Sequence, residues 1–368
     1  MKLLKYRHFA GFALVGALAL AGCGTDETTA GGSTAAPPGG DINCAEGQLR
    51  ASGSSAQANA MSAWTKAYQQ ACQGTTINYQ SVGSGAGREQ FLGGQTDFAG
   101  SDAALDEEEA AQANSERCDG ANAINLPMVT GPIAIAYNLP GVDELVLDAQ
   151  TIAGIFSNKI KTWNDPAIAK LNPDANLPNQ QIQAFHRSDE SGTTENFTAY
   201  LGAAAGNAWT YEVADTWSAP GGQAAKGSEG VSSAVQQNEG AISYMEYSYA
   251  KNLGLGTPKI DTGASEPVEL TPETAAKTVE TAEFVGEGND LKLEIDYATQ
   301  QEGAYPIVLV TYEIVCESNN APDKVELLKS FLGYTVSEQG QQELDKIGYA
   351  PLSEEVAQKV RQSVDAIA

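Results

Sequence analysis

Residues 181–201 run Gln-Ile-Gln-Ala-Phe-His-Arg-Ser-Asp-Glu-Ser-Gly-Thr-Thr-Glu-Asn-Phe-Thr-Ala-Tyr-Leu, and they constrain local structure more tightly than any other stretch of the chain. Ile182 and Ala184 alternate as in a short strand, whereas Phe197, Tyr200 and Leu201 recur at helical spacing. The polar residues between them therefore form a strand-to-helix turn. Such a turn leaves the first helical N–H groups without partners, and Ser191, Gly192 and Thr193 fall there. Two hydroxyls flank a glycine that lets backbone approach closely, and Arg187 at the strand end adds a forked cation suited to tetrahedral oxyanions. Asp189 is placed to orient that cation. The plain alternative is an αβ loop with a Ser/Thr cap and no ligand.

Further loops repeat the pattern. Ala51-Ser-Gly-Ser-Ser-Ala56 separates a strand at residues 49–53 from a helix marked by Met61, Trp64, Tyr68 and Ala71. It reads equally as an anion cradle and as a flexible turn. Ser81-Val-Gly-Ser-Gly-Ala-Gly-Arg88 follows the next strand, residues 76–82. A dinucleotide fingerprint fails there because Arg88 holds the third glycine position, and no Lys-Ser/Thr pair completes a nucleotide P-loop. Residues 96–105 carry Asp102 to the C-terminal end of a strand, where open α/β sheets keep their ligands, although a helix cap would explain an Asp equally well. Asp106-Glu-Glu-Glu109 reads as an N-cap and first helical turn, so no metal site is expected.

Residues 1–22 carry Lys2, Lys5 and Arg7 and then an apolar run from Phe9 to Ala21, the pattern of an export signal too short for a comfortable membrane span. The ending Leu20-Ala21-Gly22-Cys23 resembles a bacterial lipobox. That implies cleavage before Cys23, diacylglycerol on its sulfur, and a chain lipid-anchored to the outer face of the cell membrane. Residues 23–43 have almost nothing to bury and read as a disordered tether that reaches roughly 25 Å. The formal charge is −26, and loss of the three signal cations leaves 18 basic against 47 acidic residues, or −29. A nucleic-acid partner is thereby excluded, and any anion site must work by local dipoles against the net field.

Four cysteines remain, Cys44, Cys72, Cys118 and Cys316, without the paired spacing of a zinc site. Cys44 and Cys72 flank the first βα unit, so the expected pairs are Cys44 with Cys72 and Cys118 with Cys316; other connectivities stay open. From Gln48 onward, strand-like and helix-like runs alternate without a repeat, which favours an α/β fold in two lobes with mostly parallel strands. Val325, Leu328, Leu332, Val356 and Val360 mark amphipathic helices near the end. Trp163, Trp209, Trp217, Tyr244 and Tyr247 read as packing residues.

The motifs Gly53-Ser-Ser55, Tyr79-Gln-Ser-Val-Gly-Ser-Gly-Ala-Gly87, Thr96-Asp-Phe-Ala-Gly-Ser-Asp102, Tyr137-Asn-Leu-Pro-Gly141, Ile160-Lys-Thr-Trp-Asn-Asp165, Arg187-Ser-Asp-Glu-Ser-Gly-Thr193 and Gly240-Ala-Ile-Ser-Tyr244 occur in this order. Together they resemble the phosphate-binding proteins of bacterial high-affinity phosphate ABC importers over nearly all of residues 48–360. The resemblance implies a type II periplasmic-binding-protein fold, a two-lobed Venus flytrap with two interlobe crossings, near Val129-Thr130 and Tyr305-Pro306. Lobe one would comprise residues 44–129 plus 306–368, and lobe two residues 130–305.

Carried onto matching positions, the ligand groups implied for phosphate are Ser55, the backbone of Ala56, Ser84, Asp102, Arg187, Ser191, Gly192 and Thr193, with Asp189 behind them. The family often has Thr and Phe where this chain has Ser55 and Ala56; the hydrogen bonds survive the change, and the apolar cover over the anion is what it weakens. Asp102 would accept the proton of phosphate, which sulfate lacks. The implied role is extracytoplasmic capture of inorganic phosphate by a monomer and its delivery to ABC permease subunits, with no cofactor and no catalysis. A secreted phosphatase or esterase is the rival from another class, but His8 and His186 are the chain's two histidines, His8 lies in the signal, and no Gly-x-Ser-x-Gly elbow occurs. The other rivals are a binder of another tetrahedral oxyanion and an adhesin or sensor accessory without transport.

Overall fold

The computed structural model describes residues 42–368; the export signal, Cys23 and the tether up to residue 41 lie outside the described residues. Eight strands form one sheet: β1 (Gly47–Gly53), β2 (Thr75–Ser81), β3 (Phe98–Ser101), β4 (Ala123–Asn138), β5 (Gln183–Arg187), β6 (Gln223–Ala225), β7 (Ala241–Glu246) and β8 (Val308–Cys316). Their order is β2-β1-β3-β8-β4-β7-β5-β6. The outer ladders are parallel, as the alternation of strand and helix predicts. The three central ladders, β3 with β8, β8 with β4 and β4 with β7, are antiparallel, which the alternation does not predict. Their direction follows from connectivity, because the chain leaves one half of the sheet along β4 and returns along β8.

β4 is the spine. Fifteen of its 16 residues are buried, as befits a strand covered on both faces. Up to Pro132 it pairs with β8, and from Ile133 it pairs with β7, so one strand serves both half-sheets. Proline cannot donate to a ladder. Pro127 therefore sits at the register shift opposite Thr311 and Tyr312, and Pro132 sits where β4 changes partners.

The apolar residues gather into two cores. Trp64, Tyr68, Phe98 and Phe331 anchor one, beneath α7 (Val325–Thr335), α8 (Glu338–Ile347) and α9 (Glu354–Ala366), where Leu328, Leu332, Val356 and Val360 are buried as their spacing predicts. Trp163, Phe197, Tyr200 and Tyr244 anchor the other, against the second half of β4. Disulfides join Cys44 to Cys72 and Cys118 to Cys316, the expected pairs. The second spans 198 residues and ties the segment just before β4 to the end of β8.

Candidate functional site

Parallel strands deliver their C-terminal ends to one edge. β1 leads into residues 54–57 and α1 (Ala58–Ala71), β2 into Gly83 and α2 (Ser84–Leu92), and β3 into Asp102. On the other half-sheet β5 ends at Arg187 and leads to α4 (Gly192–Ala204), and β6 leads to α5 (Gly227–Gln237). Asp106 caps the intervening α3 (Glu107–Gln112) through a capping box with Glu109, so that acidic run has the structural role its sequence predicts.

Asp102 stands where the halves meet, and 3% of it is exposed. Its Oδ1 accepts from Thr311 Oγ1 at 2.8 Å and its Oδ2 from Thr193 Oγ1 at 3.2 Å. Its N–H donates to Ser84 Oγ at 3.2 Å, and its carbonyl accepts from Asn196 Nδ2 at 2.8 Å. Burial raises its pKa above the ordinary carboxylate value, against the pull of the Ser54 and Thr311 hydroxyls, the Arg187 charge and Thr193. The carboxylate is thus a stronger base than one in water.

Arg187 is equally buried. Its Nε and Nη2 donate to Asp189 Oδ1 and Oδ2 at 2.8 and 2.5 Å, which leaves the Nη1 edge for another acceptor. Burial opposes ionisation of Asp189, but the two Arg187 hydrogen bonds and charge, with the Gly227 N–H at 3.0 Å, overcome it and hold the carboxyl below its usual pKa. Ser191 is the N-cap of α4, its Oγ accepting from Thr194 N at 3.2 Å. Gly192 follows, and a Cβ there would lie 2.6 Å from Asp102 Cβ and 2.9 Å from Ser84 Oγ. Glycine is what lets the α4 terminus touch the opposite half.

Ser55 also reaches across. Its Oγ lies 3.0 Å from Ser228 Oγ and accepts from Ser228 N at 2.9 Å, while Tyr249 OH donates to the Ser55 carbonyl at 2.8 Å. The Ala56 N–H, expected to point at a ligand, donates instead to Ser54 Oγ at 3.0 Å. The reason is local: α1 begins at Ala58 with Gln57 as its N-cap residue, so Ala56 lies in the turn before the helix and its N–H is satisfied there.

Further bonds hold the halves together. Arg88, on α2 and paired with Glu109 of its own half at 2.7 Å, reaches Asp215 across at 3.2 Å, Gly85 N donates to the Glu190 carbonyl at 3.3 Å, and Asn59 Nδ2 donates to Ser248 Oγ at 2.7 Å. The cleft is closed. It holds neutral hydroxyl donors, a buried arginine half neutralised by its own carboxylate, and the buried acceptor Asp102, a set chemically suited to a protonated oxyanion. His186 faces elsewhere, its ring stacked 5.1 Å from Trp217. Among the described residues, no cluster of His, Cys, Asp and Glu side chains is placed to hold a metal ion.

Sequence reading singles out Ser55, Ala56, Ser84, Asp102, Arg187, Asp189, Ser191, Gly192 and Thr193; the fold brings the other eight to this edge, whereas the Ala56 N–H is turned to Ser54 Oγ. It misses Thr311, Ser228 and Asn196. Thr311 carries a signal, a small hydroxyl side chain inside the largely apolar run of β8, and Ser228 follows a glycine at a strand-to-helix turn like the others.

The PBP superfamily domain matches residues 32–339. Phosphate-binding protein PstS 3 of Mycobacterium leprae is 43% identical over 100% of both chains, and phosphate-binding protein PstS 2 of Mycobacterium tuberculosis is 41% identical over 96% of each. The crystal structure of a phosphate-binding protein from Stenotrophomonas maltophilia superposes with a TM-score of 0.70 at 21% identity, over 86% of this chain and 93% of that one. The chain belongs to the PBP superfamily and, within it, to the family of PstS phosphate-binding proteins.

Proposed function

We propose that the chain captures inorganic phosphate outside the cytoplasmic membrane and hands it to an ABC-type permease, working as a monomer anchored by lipid on Cys23. The observation that carries this reading is Asp102, a buried acceptor ringed by donors at the junction of the half-sheets. Phosphate near neutral pH retains a P–OH proton for that acceptor. Sulfate has none and would set a like charge against the carboxylate with no proton between them, which costs several kcal/mol in a dry site, on the order of 10³ in affinity. Ser55, Ser84, Ser191, Thr193, the backbone of Gly192 and the Nη1 edge of Arg187 supply the remaining donors. The Ala56 amide joins them once the turn releases it from Ser54.

Lobe one comprises residues 44–129 and 306–368, and lobe two residues 130–305. The partner exchange of β4 at Pro132 and Ile133 and the bond from Ile133 N to the Ile307 carbonyl at 2.8 Å support crossings close to those limits. Ligand groups from both lobes make phosphate favour the closed form, the shape a permease would recognise. Titration calorimetry with phosphate, arsenate and sulfate tests the assignment. Phosphate binds tightly, arsenate competes because it also carries a proton, and sulfate binding as tight as phosphate would sink the role of Asp102.

A further inference from the structure

Behind the turn at residues 54–56 lies a buried polar group that touches no proposed ligand atom. Gln57 and Glu313 are fully buried. Glu313, on β8, pairs with Gly100 of β3, and paired residues share a face of the sheet. A Cβ on Gly100 would sit 1.6 Å from Gln57 Nε2 and 2.8 Å from Tyr79 OH, so the Gln57 side chain lies across Gly100 on the face that Glu313 occupies. Tyr79 OH donates its one proton to the Ser54 carbonyl at 2.8 Å. The Tyr79 oxygen must then accept from Gln57 Nε2, at 3.0 Å, which turns Gln57 Oε1 away from Tyr79. That atom and both carboxyl oxygens of Glu313 are buried without a hydrogen-bond partner among the described residues.

Orphaned buried acceptors are costly, and a single proton relieves two of these three by joining one Glu313 oxygen to Gln57 Oε1. We propose that Glu313 is a neutral carboxylic acid whose O–H donates to Gln57 Oε1, completing the chain Glu313, Gln57, Tyr79, Ser54 that positions the phosphate-binding turn. The inference rests on the phosphate reading for its consequence but not for the proton. The groups facing Glu313 agree with it: Asp102 at the end of β3 is an acid, Tyr79 on β2 is a phenol, Gln57 is an amide, and β4 offers Leu126 at its register position. Burial pushes the Glu313 carboxyl well up, the Gln57 amide opposes the rise, and the Asp102 charge adds to it. Glu313 is a positioning residue, acting on phosphate through Gln57 and the turn.

Two readouts test it. In the infrared difference between wild type and Glu313→Gln near neutral pH, a protonated-carboxyl C=O band is expected in the wild type; a carboxylate band alone overturns the inference, whether or not phosphate binds. In phosphate titrations, Glu313→Ala weakens binding roughly 5- to 50-fold, and Glu313→Gln, with an N–H donor in place of the O–H, restores most of the loss. A Gln variant as weak as the Ala variant overturns the inference. As the band gives way to carboxylate at alkaline pH, the wild type loses affinity relative to Glu313→Gln; a constant ratio through that conversion overturns it too. Failure of all three proteins to bind phosphate refutes the ligand assignment, and the band still decides the proton.

Discussion

Asp102 concentrates the chemistry of the site in one side chain. Its two oxygens already hold the hydroxyls of Thr311 and Thr193, and burial strengthens its basicity. Replacing it by Asn keeps the shape and exchanges an acceptor for a donor. The expected result is weaker phosphate binding and stronger sulfate binding, so that the phosphate-to-sulfate affinity ratio falls by a factor on the order of 10² to 10³. An unchanged ratio by calorimetry would refute the proton-counting role. Gly192 tests closure at the same scale. Its Cβ would overlap Asp102 and crowd Ser84, both across the cleft, so Gly192→Ala should block full closure. Phosphate affinity falls by roughly tenfold or more, while the thermal midpoint without phosphate stays in place. Equal affinity in the variant would mean that the halves need not approach this closely.

At the scale of elements, β7 ends in a carboxylate that caps the next helix, α6 (Tyr247–Leu253). Glu246 is buried, and its oxygens accept from Ser248 N at 3.0 and 2.9 Å and from the Ser248 hydroxyl. Burial lifts its pKa from 4.5 to about 8, with the Ser248 and Tyr349 hydrogen bonds pulling the other way. The folded chain therefore keeps a proton that the unfolded chain has lost. Stability falls as pH rises from about 4.5 to about 8 and is unaffected by this group below that window. Glu246→Gln should flatten the slope of denaturant midpoint against pH between those limits, and parallel slopes for the two proteins would refute the assignment. Individual elements were legible in the sequence because periodicity and caps are local. Residues 181–201 announce β5 and α4, and Asp106 announces α3. Strand direction was not legible in the centre of the sheet, since it depends on β4 and β8 meeting across 169 intervening residues. Thr311 and Glu313 escaped for the same reason. Each is a polar side chain on a largely apolar strand, and what it meets comes from segments distant in sequence, Gly100 of β3 opposite Glu313 and the Asp102 carboxylate beside Thr311, not from its neighbours in sequence.

For the whole molecule the decisive quantity is charge. The chain carries −26, and its buried cation at the site, Arg187, is matched by Asp189, so that cation does not offset the field that an arriving anion meets. Attraction begins only at contact, through hydroxyls, backbone N–H groups and one guanidinium edge. Those short contacts are insulated by burial, whereas the repulsion outside is screened over a Debye length of about 8 Å at physiological ionic strength. Salt should therefore act on the encounter and not on the closed complex. The association rate for phosphate is expected to rise with ionic strength, and the dissociation rate to stay nearly constant, the reverse of an electrostatically steered anion receptor. Stopped-flow association kinetics over a range of chloride concentrations measure this directly, with a polyanion-free buffer so that no competitor enters the cleft. An association rate that falls as salt is added would mean that the local dipoles project beyond the cleft mouth and outweigh the net charge.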